Sequence, residues 1–300
     1  MALCCCAHAA ARPFLANPCA RRAVSAGAQS RQERQPGGLC RRSLLSSSAA
    51  AAIMLAAGSR SVATAAVVDD TAAKVLLDPK WPQAFPFKPE NFERYDESSD
   101  TLFYEQPRFV AHIDDNAIKA LTQFYADTFP PSGSKDAALL DICSSWISHY
   151  PKGYTAGRVA GLGMNEAELA RNSQLTEFAV RDLNVEAVLP YEDNSFDFIT
   201  NAVSVDYLTK PIEVFQEMHR CLKPGGMAIM SFSNRCFPTK AISMWTSTGD
   251  LDHIWIVGSY FHYSVPGGFT APQAKDITIR GPFGAGDPMY VVFARKQEAA

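Results

Sequence analysis

The chain has 300 residues, of which 47% are hydrophobic and 20% are charged, and its net charge at pH 7 is -3. This composition is typical of a globular protein with one large domain or two small ones. It argues against nucleic acid as a partner, and because no uninterrupted apolar run reaches about 18 residues, a multi-span membrane protein is excluded.

The first 65 residues differ in composition from the rest of the chain. Residues 1–65 contain eight Arg, no Lys and a single acid, Glu33, so they carry +7 and leave -10 on residues 66–300. Five of the eight Cys also lie there. An Arg-rich, Ser-rich and acid-poor N-terminus is typical of an organelle transit peptide. We therefore expect no packed core from this segment.

A second targeting signal follows within the same segment. Arg41 and Arg42 form a twin-arginine pair, residues 49–57 are mildly apolar, and Ala63-Thr64-Ala65 has the form of a cleavage site. The order predicts that residues 1–65 are a chloroplast transit peptide followed by a thylakoid-lumen signal, as in a plant chloroplast protein. The alternatives are a simple transit peptide to another chloroplast compartment or to mitochondria. No transmembrane segment is expected in the mature chain.

Residues 66–113 are rich in proline and aromatic residues. Prolines interrupt regular elements, whereas aromatic side chains require a surface to pack on. This combination predicts an arm that lies against the main domain rather than a disordered linker. The residues that define it are Pro82, Pro86, Pro89, Pro107, Trp81, Phe85, Phe87, Phe92, Tyr95, Phe103 and Tyr104.

From residue 114 onwards, helical and strand patterns alternate. Helical spacing predicts a helix over residues 115–129, capped by Asp114 or Asp115, and further helices over 211–222, 240–246 and 252–261. Short apolar runs predict strands over 138–143, 158–162, 177–180, 196–203 and 227–232, followed by a final pair over 276–280 and 289–294. Lys223-Pro224-Gly225-Gly226 is expected to be a sharp turn after a helix. The alternation predicts a mostly parallel α/β sheet.

Two stretches carry a family resemblance. Leu189-Pro190-Tyr191-Glu192-Asp193-Asn194-Ser195-Phe196-Asp197, and Glu217-Met218-His219-Arg220-Cys221-Leu222-Lys223-Pro224-Gly225-Gly226 after it, resemble class I S-adenosylmethionine-dependent methyltransferases of the type 11 group. The resemblance implies a Rossmann-like, seven-stranded, mostly parallel sheet with helices on both faces, in a domain over residues 114–297. It also implies S-adenosyl-L-methionine as cofactor and methyl transfer to an unknown acceptor.

The resemblance also places the cofactor contacts, two of which depart from the family pattern. Asp141 keeps the acid at the end of the first strand, but the glycines that should follow are Cys143, Ser144, Ser145 and Trp146. Gly163 stands where the family has the acid that holds the ribose hydroxyls. Asn165 or Glu166 is expected to replace that acid. If Gly163→Asp strengthens cofactor binding, the site is a weakened but genuine cofactor site.

The remaining site residues follow from the same resemblance, and no catalytic residue is assigned. Asp182 and Leu183 match the adenine contact, and Asn201 ends the fourth strand. The predicted cofactor-binding residues are therefore Asp141, Ser144, Ser145, Asn165, Asp182, Leu183 and Asn201. The predicted substrate residues are Ser204, Tyr207 and His262. His253 and His262 are candidate general bases, with hydrogen-bonded or surface histidines as the alternative.

Other classes of site and function remain as alternatives or are excluded. Scattered histidines without a paired spacing predict no metal site. Cys143, Cys221 and Cys236 leave open a disulfide or buried thiols. A Rossmann oxidoreductase is disfavoured, because no G-x-G-x-x-G follows the first strand. Because the cofactor motifs are altered, the alternative function is a non-catalytic methyltransferase-like binding or assembly protein with a thylakoid protein partner.

Overall fold

The computed structural model describes residues 70–281 and 284–298. The predicted transit peptide and lumen signal, residues 1–65, lie outside the described residues. The α-helices are α1 (Thr71–Leu77), α2 (Asp100–Phe103), α3 (Asp115–Thr128), α4 (Glu166–Arg171), α5 (Pro211–Cys221), α6 (Ser243–Thr246) and α7 (Asp250–Ser264). Within the described part of the chain, none of the helices is long and apolar enough to cross a membrane.

Seven strands form one sheet in the order β3-β2-β1-β4-β5-β9-β6. The first five strands in this order pair in parallel, whereas β9 is antiparallel to both β5 and β6. This confirms the predicted mostly parallel sheet. The strands are β1 (Ser134–Ile142), β2 (Ala156–Gly163), β3 (Glu177–Val180), β4 (Phe196–Ala202), β5 (Leu222–Phe232), β6 (Gln273–Asp276) and β9 (Tyr290–Arg295), with a separate hairpin of β7 (Arg280–Gly281) and β8 (Gly284–Ala285).

The best-predicted helices are those with a strong apolar face. Asp114 caps α3 by accepting a hydrogen bond from the Ala117 amide at 2.8 Å. In α5, Pro211 occupies the first turn, where its missing N–H costs nothing, and Val214, Phe215 and Met218 are buried. The helix predicted over residues 252–261 is confirmed within α7.

Two local predictions after α5 were wrong, namely the helix over 240–246 and the strand over 276–280, where the structure has β6 at Gln273–Asp276. The sharp reversal predicted for Lys223 to Gly226 lies inside β5, which begins at Leu222. Leu222 pairs with Phe196 and Met227 with Phe198, so these four residues oppose Asp197 alone. Gly225 still reverses the local backbone, with a φ of 77° that favours glycine. The helix predicted over 240–246 is the single turn α6, because residues 237–242 are held by contacts with the arm.

The expected alternation of strands and helices fails between β1 and β2. Residues 143–155 cross from one strand to the next without a helix, and residues 181–195 do the same between β3 and β4. Aromatic side chains of the first connection, Tyr150 and Tyr154, pack with Phe129 and cover the sheet face there. Within the described residues, α4 and α5 are the helices that connect parallel strands.

The segment before α3 packs against α7 through aromatic rings. Trp81 stacks on His262 with ring centroids 5.0 Å apart, and its ring lies 5.0 Å from that of Trp255. Trp255 donates its indole N–H to Pro79 O at 2.9 Å. These contacts explain the density of aromatic residues in both segments.

Candidate functional site

A cleft of about 250 Å³ opens at the carboxyl ends of β1, β2 and β4. Ligands of open α/β sheets bind at this edge, where the loops after the strands converge. The arm forms one side of the cleft through residues 100–112. The structure brings together eight of the predicted residues along its walls: Asp141, Ser144, Ser145, Asn165, Asp182, Leu183, Ser204 and Tyr207.

Two predicted residues lie outside the cleft wall. Asn201 is fully buried within β4 and lies below the cleft lining. His262 is an exposed residue of α7 that stacks on Trp81, so its placement as a substrate residue is corrected. The other candidate base, His253, stacks on Trp245 at 3.8 Å and bonds the Trp245 carbonyl at 2.9 Å. His262 packs on the arm and His253 packs on α6 and β5, so neither lies in the cleft wall.

The loop after β1 folds back onto the end of β2. The Ser144 amide donates to Leu162 O at 2.7 Å, and the Ser144 hydroxyl donates to the Asp141 carboxylate at 2.6 Å. The Thr200 hydroxyl donates to the same carboxylate at 3.0 Å. Burial raises the pKa of Asp141 to about 6, since these hydrogen bonds only partly replace water. Cys143 takes a φ of 54° to make the turn, which is costly without glycine.

This loop occupies the place of the missing ribose acid. A Cβ added to Gly163 would lie 2.1 Å from the Ser144 carbonyl oxygen, a separation that real Cβ atoms do not adopt. An aspartate therefore cannot be restored at this position unless the loop moves. Gly163→Asp therefore cannot serve as a test for a weakened cofactor site while the loop keeps this conformation.

The buried carboxylate beside this position is Glu168, which the sequence reasoning missed. Glu166 is exposed and lies outside the cleft wall, whereas Glu168 is buried and lines it. Its two oxygens accept hydrogen bonds from the Arg108 amide at 2.7 Å and the Ser145 hydroxyl at 2.6 Å. The available signal was that Glu168 is the third helical residue after the cap Asn165, on the inner side of α4.

The loop after β3 is fastened to the arm. Asn184 donates to Asp100 Oδ2 at 3.0 Å and to the Tyr207 carbonyl at 2.9 Å. The Asp100 carboxylate also pairs with Arg94 at 2.7 Å and with Lys240 at 3.3 Å. This ion cluster is almost completely buried, so it fixes the arm against the loop that carries Asp182.

The cleft wall contains two histidines, His112 and His149, that the sequence reasoning treated as scattered. Burial lowers the pKa of His149 to about 4 and also lowers the pKa of His112, so both imidazoles are neutral at pH 7. Phe237 links His112 to Tyr207. Its ring centre lies 5.4 Å from that of His112, and its amide donates a hydrogen bond to the Tyr207 hydroxyl at 2.8 Å. Both histidines line the cleft with Tyr207 and Phe237.

Cysteines and metal-ligating side chains form no further site in the part of the chain that is described. Cys143, Cys221 and Cys236 are free thiols. Across residues 70–281 and 284–298, His, Cys, Asp and Glu side chains form no group of three or more that could hold a metal ion.

Comparison with known proteins finds a family that matches part of the chain. Residues 142–230, less than a third of the chain, match the methyltransferase domain family. The sheet order, with an antiparallel pair after β5, is that of the class I methyltransferase fold expected from the resemblance.

The curated relatives match this domain over part of their length. A demethylmenaquinone methyltransferase of Staphylococcus epidermidis is 31% identical over 102 residues, 32% of this chain and 42% of the relative. That of Bacillus mycoides is 38% identical over 79 residues, 24% of this chain and 33% of the relative. The chain thus spans about two fifths or less of these relatives.

Solved structures are also similar, at low sequence identity. The YcgJ protein of Bacillus subtilis aligns at 12% identity over 60% of this chain and 99% of that protein, with a TM-score of 0.43. A S-adenosylmethionine-dependent methyltransferase from Mesorhizobium loti aligns at 17% identity over 59% of this chain and 98% of that protein, with a TM-score of 0.39.

Proposed function

We propose that the protein is a S-adenosylmethionine-dependent methyltransferase that acts on a small-molecule acceptor. The observation that carries the proposal is the cleft at the carboxyl edge of the methyltransferase domain, which is lined by Asp182, Leu183 and Tyr207. Such a cleft places a nucleoside and an acceptor side by side.

The residues of the cleft fit the nucleoside part of the cofactor. Asp182 uses Oδ1 to accept from the Asn184 amide at 2.9 Å, and its other oxygen has acceptor capacity for an adenine amino group. Leu183 is buried and supplies an apolar wall. Glu168 would hold the ribose hydroxyls in place of the excluded acid, because each carboxylate oxygen can accept more than one hydrogen bond.

Catalysis would rest mainly on positioning. S-adenosylmethionine supplies an electrophilic methyl group when it is bound. The chain contributes a cleft that holds the acceptor in line, which removes most of the entropic barrier. His112 is neutral at pH 7 and can accept a proton from an acceptor hydroxyl, whereas the pKa of about 4 makes His149 a much weaker base. Aromatic side chains of the cleft wall, Tyr104 and Phe237, suit a planar acceptor such as a quinone or its quinol, and the curated relatives are named for demethylmenaquinone.

Calorimetric titration of the full chain with S-adenosylmethionine and S-adenosylhomocysteine tests this proposal. We expect micromolar dissociation constants, and we expect Asp182→Ala to abolish the binding heat. Asp136→Ala is the matched control, because Asp136 is an exposed residue at the opposite end of β1. Absence of heat and of a thermal shift at millimolar ligand would contradict the proposal.

One observation favours the alternative of a non-catalytic assembly protein. The Ser144 carbonyl blocks the position of the ribose acid, so the loop as folded departs from the family's cofactor site. If the alternative holds, the protein binds neither nucleoside and co-purifies with a thylakoid protein complex. Pull-down from solubilised thylakoids, run beside the calorimetry, separates the two functions.

We also propose delivery to the chloroplast, with the thylakoid lumen as the final location. The support is the sequence of residues 1–65, with its excess of Arg and its twin-arginine pair. Import into isolated chloroplasts, followed by fractionation, tests it. Replacing Arg41 and Arg42 by Lys should retain the protein in the stroma. Recovery of the wild-type chain in the stroma or in mitochondria would contradict the lumen location.

A further inference from the structure

Arg108 places a guanidinium at the edge of the cleft, inside a group of aromatic rings. Its Cζ lies 4.1 Å from the ring centre of Phe103, 5.3 Å from that of Phe237 and 5.8 Å from that of Tyr104. The residue is half-buried and belongs to the cleft wall. Ring faces attract the cation, but an aromatic ring does not replace an oxygen acceptor for the guanidinium N–H groups.

The hydrogen-bonding capacity of Arg108 is only partly used. Nη2 donates to the Phe103 carbonyl at 3.0 Å, whereas Nη1 is buried and has no partner among the described residues. The two other arginines of the cleft wall are paired, Arg181 with Glu186 at 3.0 Å and Arg235 with Asp287 at 2.8 Å. Buried polar groups without a partner are rare in folded proteins, and an unpaired buried cation is costly.

The surrounding side chains supply no anion to this cation. Glu168 accepts from the backbone amide of Arg108 but forms no ion pair with its guanidinium in the described structure. The carboxylate of Asp100 is taken by Arg94 and Lys240. His149 adds a second buried nitrogen of the cleft wall, Nδ1, that has no partner among the residues described.

The connection after β1 makes a side-chain cation more important. In folds where a helix follows the first strand, its N-terminus offers backbone amides and a partial positive charge to an anion. Residues 143–155 contain no helix, so this source of positive charge is missing here. Arg108 is the remaining cation of the described cleft wall that is not committed to a carboxylate.

We propose that Arg108 binds a carboxylate of the molecule that occupies the cleft. The inference rests on the proposed methyl transfer and extends it to a defined ligand group. Two sources have this chemistry, namely the amino-acid carboxylate of the cofactor and an acidic group on a planar acceptor. In both cases the ligand pairs with the guanidinium, and the aromatic rings of Phe103 and Phe237 keep water away from the ion pair.

Binding measurements on full-length variants distinguish these sources. The variants are Arg108→Gln, Arg108→Lys and, as matched control, Arg171→Gln, because Arg171 stacks on Phe109 at 4.5 Å outside the cleft wall. The probes are S-adenosylhomocysteine and 5′-methylthioadenosine, which lacks the carboxylate. Phenylacetate and 2-phenylethanol are then titrated into the S-adenosylhomocysteine complex. Thermal unfolding without ligand verifies the fold of each variant, and Arg108→Lys serves if Arg108→Gln unfolds.

Two results support the proposal. If the cofactor supplies the carboxylate, Arg108→Gln weakens S-adenosylhomocysteine by roughly 30-fold, the usual effect of losing a hydrogen bond to a charged group, and leaves 5′-methylthioadenosine unchanged. If the acceptor supplies it, the affinity for S-adenosylhomocysteine is unchanged, and phenylacetate binding is lost without an effect on 2-phenylethanol.

Two other results overturn it. Unchanged binding of every probe to Arg108→Gln would show that the cation has no ligand. An equal loss for charged and uncharged probes, or an equal effect of Arg171→Gln, would show a structural role. Failure of the wild-type chain to bind either nucleoside contradicts the methyl transfer instead, and phenylacetate titration of the ligand-free chain then tests Arg108 alone.

Discussion

The two halves of the sheet follow the family pattern to different degrees. On one side, β4, α5 and β5 form a regular strand-helix-strand unit most of whose apolar residues are buried. On the other side, β1 and β2 are joined by coil, and the site of the ribose acid is closed by the Ser144 carbonyl. The motifs that identify the fold therefore lie in the half formed by β4, α5 and β5. The ligand chemistry depends on the half formed by β1 and β2 and on the arm.

The largest expected effect is loss of core packing in the regular half. Phe215→Ala should lower the free energy of unfolding by about 4 kcal/mol, because the ring is fully buried against Tyr260 and Phe261 and leaves a cavity. Urea denaturation measures it. The control Phe178→Ala, at a 39% exposed ring on the edge strand, should change it by less than about 0.5 kcal/mol. Equal effects of the two variants would contradict this packing.

The next effect concerns the attachment of the arm. Asp100→Asn leaves Arg94 and Lys240 as buried cations without their shared carboxylate, so we expect a loss of about 3 kcal/mol in stability. Limited proteolysis should then cleave the arm faster. Glu97→Gln is the control, because Glu97 is an exposed partner of Arg94 at 3.6 Å. A wild-type proteolysis rate for Asp100→Asn would show that the cluster does not hold the arm.

A smaller effect sharpens the account of the irregular half. Gly163→Ala should cost about 2 kcal/mol, because its Cβ meets the Ser144 carbonyl and the loop must shift. Affinity for S-adenosylhomocysteine should fall with stability. Gly249→Ala is the control for an added methyl group without a clash, since Gly249 has a φ of -114° and its Cβ would meet only Asp252 Oδ2 at 3.9 Å. Tighter nucleoside binding by Gly163→Ala would show that the loop is free to move.

The last effect is a slope of stability against pH, which is the smallest of the four over a single pH unit. Burial raises the pKa of Asp206 to about 8, whereas an unfolded Asp titrates near ~4. Between these values the native state holds a proton that the unfolded state releases. The free energy of unfolding therefore falls by about 1 kcal/mol per pH unit as pH rises towards 8, and this contribution is complete only below pH ~4.

Asp206→Asn has no proton to release and should lose this slope. Asp141 titrates near 6 and affects both proteins, so unfolding is best compared between pH 6 and pH 8. As pH rises over this range, the free energy of unfolding of the variant should increase relative to that of wild type. Parallel curves for the two proteins would mean that Asp206 is ionised in the native state.

The strand positions and the main helices were predictable because they depend on local apolar patterns. Val214, Phe215 and Met218 have helical spacing in the sequence, and the helix is formed where they predict it. Asp182 and Ser204 reach the cleft because strand ends converge at one edge whatever the loops do. Such features require no knowledge of which distant segments touch.

The parts that were missed depend on long-range contacts. Arg108 and His112 enter the cleft because the arm crosses the sheet edge, which no local pattern shows. Glu168 differs from Glu166 only by its side of α4, and His262 was misplaced because the partner of α7 was unknown. The clash at Gly163 arises from the backbone of another loop.

The attachment of Lys240 to the arm sets the order in which the cleft can be completed. Its ammonium donates to the carbonyls of Asp96 and Ser98, which lie 144 and 142 residues earlier in the chain. Contacts of such long sequence separation form late in folding. The side of the cleft that the arm forms is therefore completed only when most of the chain has been synthesised and folded. A bound ligand would then stabilise the sheet and the arm together. Ligand binding would therefore be a measure of the fraction of chains that are completely folded.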